Sequence, residues 1–270
     1  MLYYYIFYSV FVFFWGLCIG SFANVCIYRL PMGRSIVMPR SHCPHCGNLI
    51  AWFDNIPLLS FLLLGGKCRS CKGTISTRYF LVELLTGAIF LMIFLRYGID
   101  LRTPIYWLVA TGLIIGTFVD FDYMIIPDQI TLGGILAGLA CSILFPALHG
   151  VTTNFEGFKA AFIGLMAGGI ILWLVGEFGR LAFKKDAMGM GDVKLLAALG
   201  TFLGWQAVVF TVMISSLTGA IAGILMVLTG NKTMGSKIPF GPYLAVAALI
   251  WILGGHDWWL TYINWLQCEQ

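Results

Sequence analysis

Charge is what this sequence has least of. Asp, Glu, Lys and Arg together make up 10% of its 270 residues, where soluble domains carry about 25%. Hydrophobic residues reach 60% and the mean hydropathy is +0.90, so there is too little polar surface to clothe a water-facing globule. A disordered chain, a coiled coil, a secreted disulfide scaffold and a nucleic-acid binder are excluded as whole-chain readings. Histidine is scarce too: only His42, His45, His149 and His256 are present, and no H-E-x-x-H occurs. That removes helix-borne zinc proteolysis and leaves a Ser–His dyad without a histidine inside the apolar segments. Internal repeats and low-complexity tracts are also missing. The first apolar run lacks a basic leader and a small-residue cleavage site, so it reads as a span, not a removable signal peptide.

What is present is a series of apolar runs near the ~20 residues that a helix needs to cross a bilayer. They are Tyr3–Val25, Phe80–Leu95, Ile105–Val119, Ile125–Leu148, Phe158–Phe183, Val193–Leu203, Ala207–Leu228 and Pro242–Leu253. The expectation is an all-α polytopic membrane protein of about eight transmembrane helices, the sixth of them short. Lys and Arg in the connecting loops set the orientation. With the N-terminus outside, thirteen basic residues fall in the cytoplasm: Arg29, Arg34, Arg40, Lys67, Arg69, Lys72, Arg78, Arg180, Lys184, Lys185, Lys194, Lys232 and Lys237. Only Arg96, Arg102 and Lys159 fall outside. The chain then divides into a first span (1–27), a cytosolic loop module (28–79) and a transmembrane bundle (80–270).

The loop module contains Cys43-Pro44-His45-Cys46 and Cys68-Arg69-Ser70-Cys71. Two C-x-x-C pairs approximate structural zinc spacing, with a gap slightly beyond the usual one. Four thiolates close a tetrahedral Zn²⁺ shell and leave no place for a catalytic water. A loop of this size has little core of its own, so metal binding would supply much of its folding free energy. Two disulfides or four free thiols are the alternatives; a cytosolic setting argues against disulfides. His42 and His45 are secondary candidates as ligands. Cys18, Cys26, Cys141 and Cys268 lie in or beside spans and read as apolar packing.

Of twelve carboxylates, Asp120, Asp122 and Asp128 crowd together, and Asp192 closes Gly189-Met190-Gly191-Asp192. All four fall at cytoplasmic ends of spans. An ionisable group at bilayer depth costs at least ~2.5–3.5 kcal/mol, which makes each a functional candidate. Two carboxylates in a poorly hydrated place share one proton, giving a base for water and an acid for the scissile group: aspartyl-protease chemistry. The plainer reading is that Asp128 caps a helix starting at Gln129 and Asp192 one starting at Val193. The residues alone do not choose among Asp120, Asp122 and Asp128. The competing class is an ion-coupled transporter with intramembrane carboxylates, and a third is a non-enzymatic assembly factor.

Taken together, the cysteine pairs, the Asp cluster and Gly-Met-Gly-Asp resemble the type IV prepilin peptidases, or prepilin leader peptidase/N-methyltransferases. Further matching stretches are Gly20–Val25 with Arg29-Leu30-Pro31, Asn55–Leu58, Gly66-Lys67-Cys68, Arg78-Tyr79 with Val82-Glu83, Pro127-Asp128, Val193-Lys194 and Pro239–Tyr243. The resemblance implies that Asp120 and Asp192 form the catalytic pair. It also implies that a basic leader is cut from prepilins or pseudopilins after a glycine at the cytoplasmic face of a bacterial inner membrane. The new N-terminus would then be methylated from S-adenosylmethionine. The methyl-donor function rests on the resemblance alone, since Gly-x-Gly here lacks the strand–helix context of a dinucleotide fold. Membrane lipid is the expected surrounding partner. Among other polar residues, Glu83 reads as a carboxylate at a helix start, Asn24 and Ser21 as hydrogen bonds between helices, and Glu177 as a partner of Arg180 or Lys184.

Overall fold

A computed structural model describes residues 2–184, 188–229 and 238–268. The expected cytoplasmic Lys185, Lys232 and Lys237 lie outside these residues. The chain forms two compact units, Met1–Ile115 and Gly116–Gln270. Among the described residues every regular element is helical apart from two isolated bridges, His42 to Leu49 and Lys67 to Thr74.

In the first unit, α1 (Leu2–Arg29) packs along α3 (Thr77–Tyr97). Small residues make the approach close: a Cβ on Gly16 would lie 2.8 Å from the Gly87 Cα, and one on Gly20 equally near the Glu83 Cα. Such contacts substitute for a hydrophobic driving force, which lipid does not provide between helices. The start of α4 (Arg102–Tyr123) packs back on α3, where Trp107 stacks on Phe90 at 5.0 Å and donates to the Phe90 carbonyl. Asn24 in α1 donates to the Tyr79 carbonyl at 3.1 Å, as its sequence position suggested. Between α1 and α3 runs the loop module with one short helix, α2 (Leu59–Leu63).

The second unit holds the end of α4, then α5 (Asp128–Leu144), α6 (Asn154–Phe183), α7 (Met190–Leu228), α8 (Gly241–Ile250) and α9 (His256–Cys268). The α6–α7 interface also runs on glycine, for a Cβ at Gly164 would overlap the Gly200 carbonyl. The expected sixth and seventh spans join within α7, whose regular geometry breaks at Gly204 (φ 81°, ψ 172°). Eight helical residues rise ~12 Å. Yet a Cβ on Gly200 would lie 3.1 Å from Val208 Cγ2, so the chain folds back at the break. The freed Thr201 carbonyl accepts a hydrogen bond from Ser142 Oγ at 2.9 Å, and Ser142 Oγ also bonds His149 Nε2 at 2.8 Å.

Six helical stretches are long and apolar enough to cross a membrane, and α5 is a shorter apolar helix of 17 residues. With α5 and the two halves of α7 counted separately, the eight expected segments are present. Two ends differ most. The fourth span ends at Leu144, where Phe145 leaves helical geometry ahead of Pro146. The eighth passes through one π-turn at Trp251–Gly255 into α9, which was not expected, so that its span-length stretch runs Gly241–Gln267.

Candidate active site and metal centre

The four acidic candidates separate by burial. Asp120 is 5% exposed and Asp192 8%, whereas Asp122 and Asp128 are exposed. Asp120 lies in the last turn of α4 and Asp192 in the first turn of α7. They are near enough for the Asp120 charge to act on Asp192. Asp120 Oδ2 accepts a 3.0 Å hydrogen bond from the Gly241 backbone N–H, at the start of α8. Helix starts present N–H groups without helical partners, so this donor is free for a carboxylate. Beside Asp120 the chain turns out of α4 through Met124 (φ 53°), and Ile126 and Pro127 are buried. Ile126 fills the space against Gly191 and Gly241: a Cβ at either would come within 3.4 Å of its side chain.

Asp192 does not cap a helix starting at Val193. The helix begins at Met190 with Gly189 as its N-cap, and the Asp192 carboxylate reaches back to the Gly189 N–H, the acidic half of a capping box. Its Oδ1 is buried with no hydrogen-bond partner among the described residues. A buried oxygen in that state costs stability unless something else fills the position. Asp128 likewise fails to cap: it is the first residue of α5, and its carboxylate pairs with Lys194 Nζ at 2.7 Å. The Gly241 donor, the Ile126 spacer and the Asp128–Lys194 pair were not foreseen. Pro-Phe-Gly-Pro was the available signal for the first, since glycine before a helical proline marks a helix start.

In the loop module the sulfurs of Cys43, Cys46, Cys68 and Cys71 lie within 4.8 Å of one another. Cys43 Sγ and Cys71 Sγ are 3.8 Å apart, the edge of a tetrahedron whose metal–sulfur bonds are ~2.3 Å. Two turns of like form bring them together. The Gly47 N–H donates to the Cys43 carbonyl and the Lys72 N–H to the Cys68 carbonyl; both residues adopt positive φ, 71° and 60°. Backbone N–H groups of Cys71 and Ser70 hold the Cys68 thiol down at about 6. The Asn48 N–H favours the Cys46 thiolate, but desolvation and the Cys43, Cys71 and Cys68 sulfurs outweigh it and push that thiol up to about 11. Without a cation the cluster cannot carry four thiolates; a bound cation would remove that obstacle. His42 is engaged with the Arg40 carbonyl and the His45 ring lies against Gly73; neither belongs to the four-sulfur cluster. Asp54 and Arg69 form a bidentate pair at 2.6–3.1 Å in the same module.

Glu83 is not at a helix start. It lies in the second turn of α3, buried, where its Oε2 accepts the Leu58 N–H at 2.9 Å and the carboxylate also bonds Ser21. Glu177 pairs with Arg180 at 2.6 Å. Cys26 is buried and Cys141 half-buried, as packing residues should be, but Cys18 is exposed; the Cys268 side chain lies outside the described residues.

Helices of this length and apolarity, a buried aspartate pair at helix ends and a four-thiol cluster describe a multi-pass membrane protein with a metal-competent module. The chain belongs to the type IV leader peptidase family, whose model matches residues 107–224, and the Bacterial Peptidase A24 N-terminal domain matches residues 14–97. It is 41% identical over 277 residues to the prepilin leader peptidase/N-methyltransferase of Aeromonas hydrophila, covering 93% of each chain. The proteins of that name from Pseudomonas aeruginosa and Legionella pneumophila are 37% and 33% identical. They cover 92% and 93% of this chain, and 91% of their own length in both cases. No solved structure gives a significant match.

Proposed function

We propose that this protein cuts the basic leader from type IV prepilins or pseudopilins at the cytoplasmic face of a bacterial inner membrane, and N-methylates the residue it exposes. The observation that carries the reading is the buried Asp120–Asp192 pair, one oxygen tied to a main-chain N–H and another unpartnered, in a chain of this family. One carboxylate, ionised, takes a proton from water as the oxygen attacks the scissile carbonyl. The other, protonated, gives its proton to the carbonyl oxygen. Collapse of the tetrahedral species returns that proton and passes one to the leaving amine, so the pair ends with a single proton, as it began. The two protonation steps belong to the pair and not to either residue.

The four cysteines hold structural Zn²⁺, which fixes the two turns of the 28–79 module, while residues 80–270 carry the peptidase bundle. S-adenosylmethionine supplies the methyl group when bound; the new amine takes it up and loses one proton, and S-adenosylhomocysteine leaves. Nothing among the described residues favours a transporter. The deciding experiment is leader cleavage of a purified prepilin by the wild type, Asp120→Asn and Asp192→Asn, with folding checked in each. Asparagine keeps shape and cannot share the proton, so both variants should lose cleavage by about 10³-fold or more. Undiminished cutting by either would remove that aspartate from the mechanism.

A further inference from the structure

The short helix α2 turns its apolar side away from its own module. Leu59, Leu62 and Leu63 stand at i, i+3 and i+4, one face of a helix, and all three are exposed, Leu63 to 82%. The opposite face holds α2 in place. Ser60 is buried, accepting the Ile56 N–H at 3.1 Å and donating to the Phe53 carbonyl at 2.9 Å. Phe61 packs on Phe80 of α3 with ring centroids 5.4 Å apart, and a Cβ at Gly66 would stand 3.1 Å from the Phe61 ring. A helix on a water-facing surface keeps its leucines on the packed side; α2 does the reverse.

What lies against the leucines follows from where α2 sits along α3. The apolar run of α3 starts at Phe80, and the whole helix rises ~32 Å, little more than the ~30 Å hydrocarbon core. Phe61 touches that first apolar residue. The Leu58 N–H, immediately before α2, donates at 2.9 Å to Glu83, three residues or ~4.5 Å further along the helix. Leu58 adopts φ 59° at this bond, a conformation that a non-glycine residue keeps only where its surroundings impose it. α2 is therefore held level with the beginning of the α3 span, where headgroups give way to acyl chains. Charge points the same way. Residues 28–79 include seven Lys and Arg and a single carboxylate, Asp54, which is engaged in the bidentate pair with Arg69. Arg34, Arg40, Lys67 and Lys72 are exposed. An apolar helix face in a basic module is the complement of an anionic lipid surface.

We propose that Leu59, Leu62 and Leu63 lie in the cytoplasmic leaflet among the acyl chains of anionic phospholipid and anchor the loop module to the membrane surface. This anchor needs α3 to span the membrane, and it stands whether or not the protein cleaves a leader. The chain enters the module from α1 and leaves it through α3. α2 supplies a third point of attachment, and three points fix the attitude of the module to the bilayer.

The test places the full-length protein in nanodiscs of equal parts phosphatidylcholine and phosphatidylglycerol, with a trace of each lipid carrying a diazirine in its acyl chain. After illumination and digestion, mass spectrometry should find lipid on the peptide containing Leu59–Leu63. It should also find lipid on the peptide containing Phe80–Leu95, which shows that the probe reaches a span. Label on the α3 peptide alone overturns the anchor, because water, a prepilin or a second copy would then cover the leucines. Leaving out phosphatidylglycerol should lower the α2 label severalfold and leave the α3 label unchanged; equal α2 labelling overturns the choice of anionic lipid. The double variant Leu62→Gln, Leu63→Gln gives an independent measure. If it unfolds at the wild-type temperature, tryptic cleavage of its loop module in the same nanodiscs should be about tenfold faster, since cleavage follows the population of the released state. An unchanged rate overturns the anchor. If the variant does not fold, labelling of the wild type decides.

Discussion

At position 241 the backbone N–H is 3.0 Å from Asp120 Oδ2, and a Cβ there would stand 2.8 Å from the same oxygen. A carboxylate held by main chain leaves no room for a methyl group beside it. Gly241→Ala should displace Asp120 and lower leader cleavage by about 10²-fold, the effect of misplacing a catalytic group by about 1 Å, with membrane insertion unchanged; near-normal cleavage would detach Gly241 from the site. The thiols give a second test at this scale. Cys46 at about 11 is protonated at neutral pH, and Cys68 at about 6 is a thiolate there. A lowered value means that the thiolate's advantage holds above the ordinary thiol range and is lost as pH falls through about 6. Metal must therefore displace the Cys46 proton at neutrality and one more, from Cys68, below about 6. Calorimetry of zinc added to the metal-free full-length protein in several buffers should show protons released per metal rising by about one across that pH. A flat count would contradict the arrangement of donors.

Among the elements, α7 decides most. It carries Asp192 in its first turn, packs on α5, α6 and α8, and folds back at Gly204. With φ 81° and ψ 172°, that position is open to glycine and strained for any L-residue. Gly204→Ala should cost about 1–3 kcal/mol, read as a lower unfolding temperature in detergent; an unchanged midpoint would mean that the break tolerates a side chain. Long apolar runs made most helices legible from sequence, and Gly204-Trp205-Gln206 already separated two spans. The α9 helix was not legible because its apolar residues are interleaved with Asp257, Thr261 and Asn264. Its Trp258, Tyr262 and Trp265 are exposed, a pattern suited to the membrane–water boundary at the end of the Gly241–Gln267 stretch. The candidate aspartates were legible as types. What separated Asp120 from Asp122 was burial, which depends on how α4 packs and not on the local sequence. Gly241 was hidden for a related reason: a backbone N–H has no signature of its own, and its partner lies 121 residues away.

For the whole molecule, the uneven distribution of Lys and Arg is what argues for the orientation that the proposed function requires. With Cys18, Cys26, Cys141 and Cys268 replaced by serine and the four module cysteines kept, Glu156→Cys, in the first turn of α6, should react with a membrane-impermeant thiol reagent added to cells whose outer membrane has been permeabilised. Arg34→Cys, exposed in the loop module, should add a reactive thiol only after the inner membrane is opened. The reverse pattern would invert the topology and remove the active site from the compartment where a leader remains. The bond between Gly241 and Asp120 also bears on how the protein is made. Once Asp120 has been translated, its main-chain donor does not yet exist; 121 residues must follow, about 6–24 s at ~5–20 residues per second. The nascent chain therefore passes through the insertion machinery with Asp120 lacking its main-chain donor. If Asp120 is catalytic, as proposed, a ribosome that stalls before the start of α8 should leave an inert fragment in the membrane and not a stray protease.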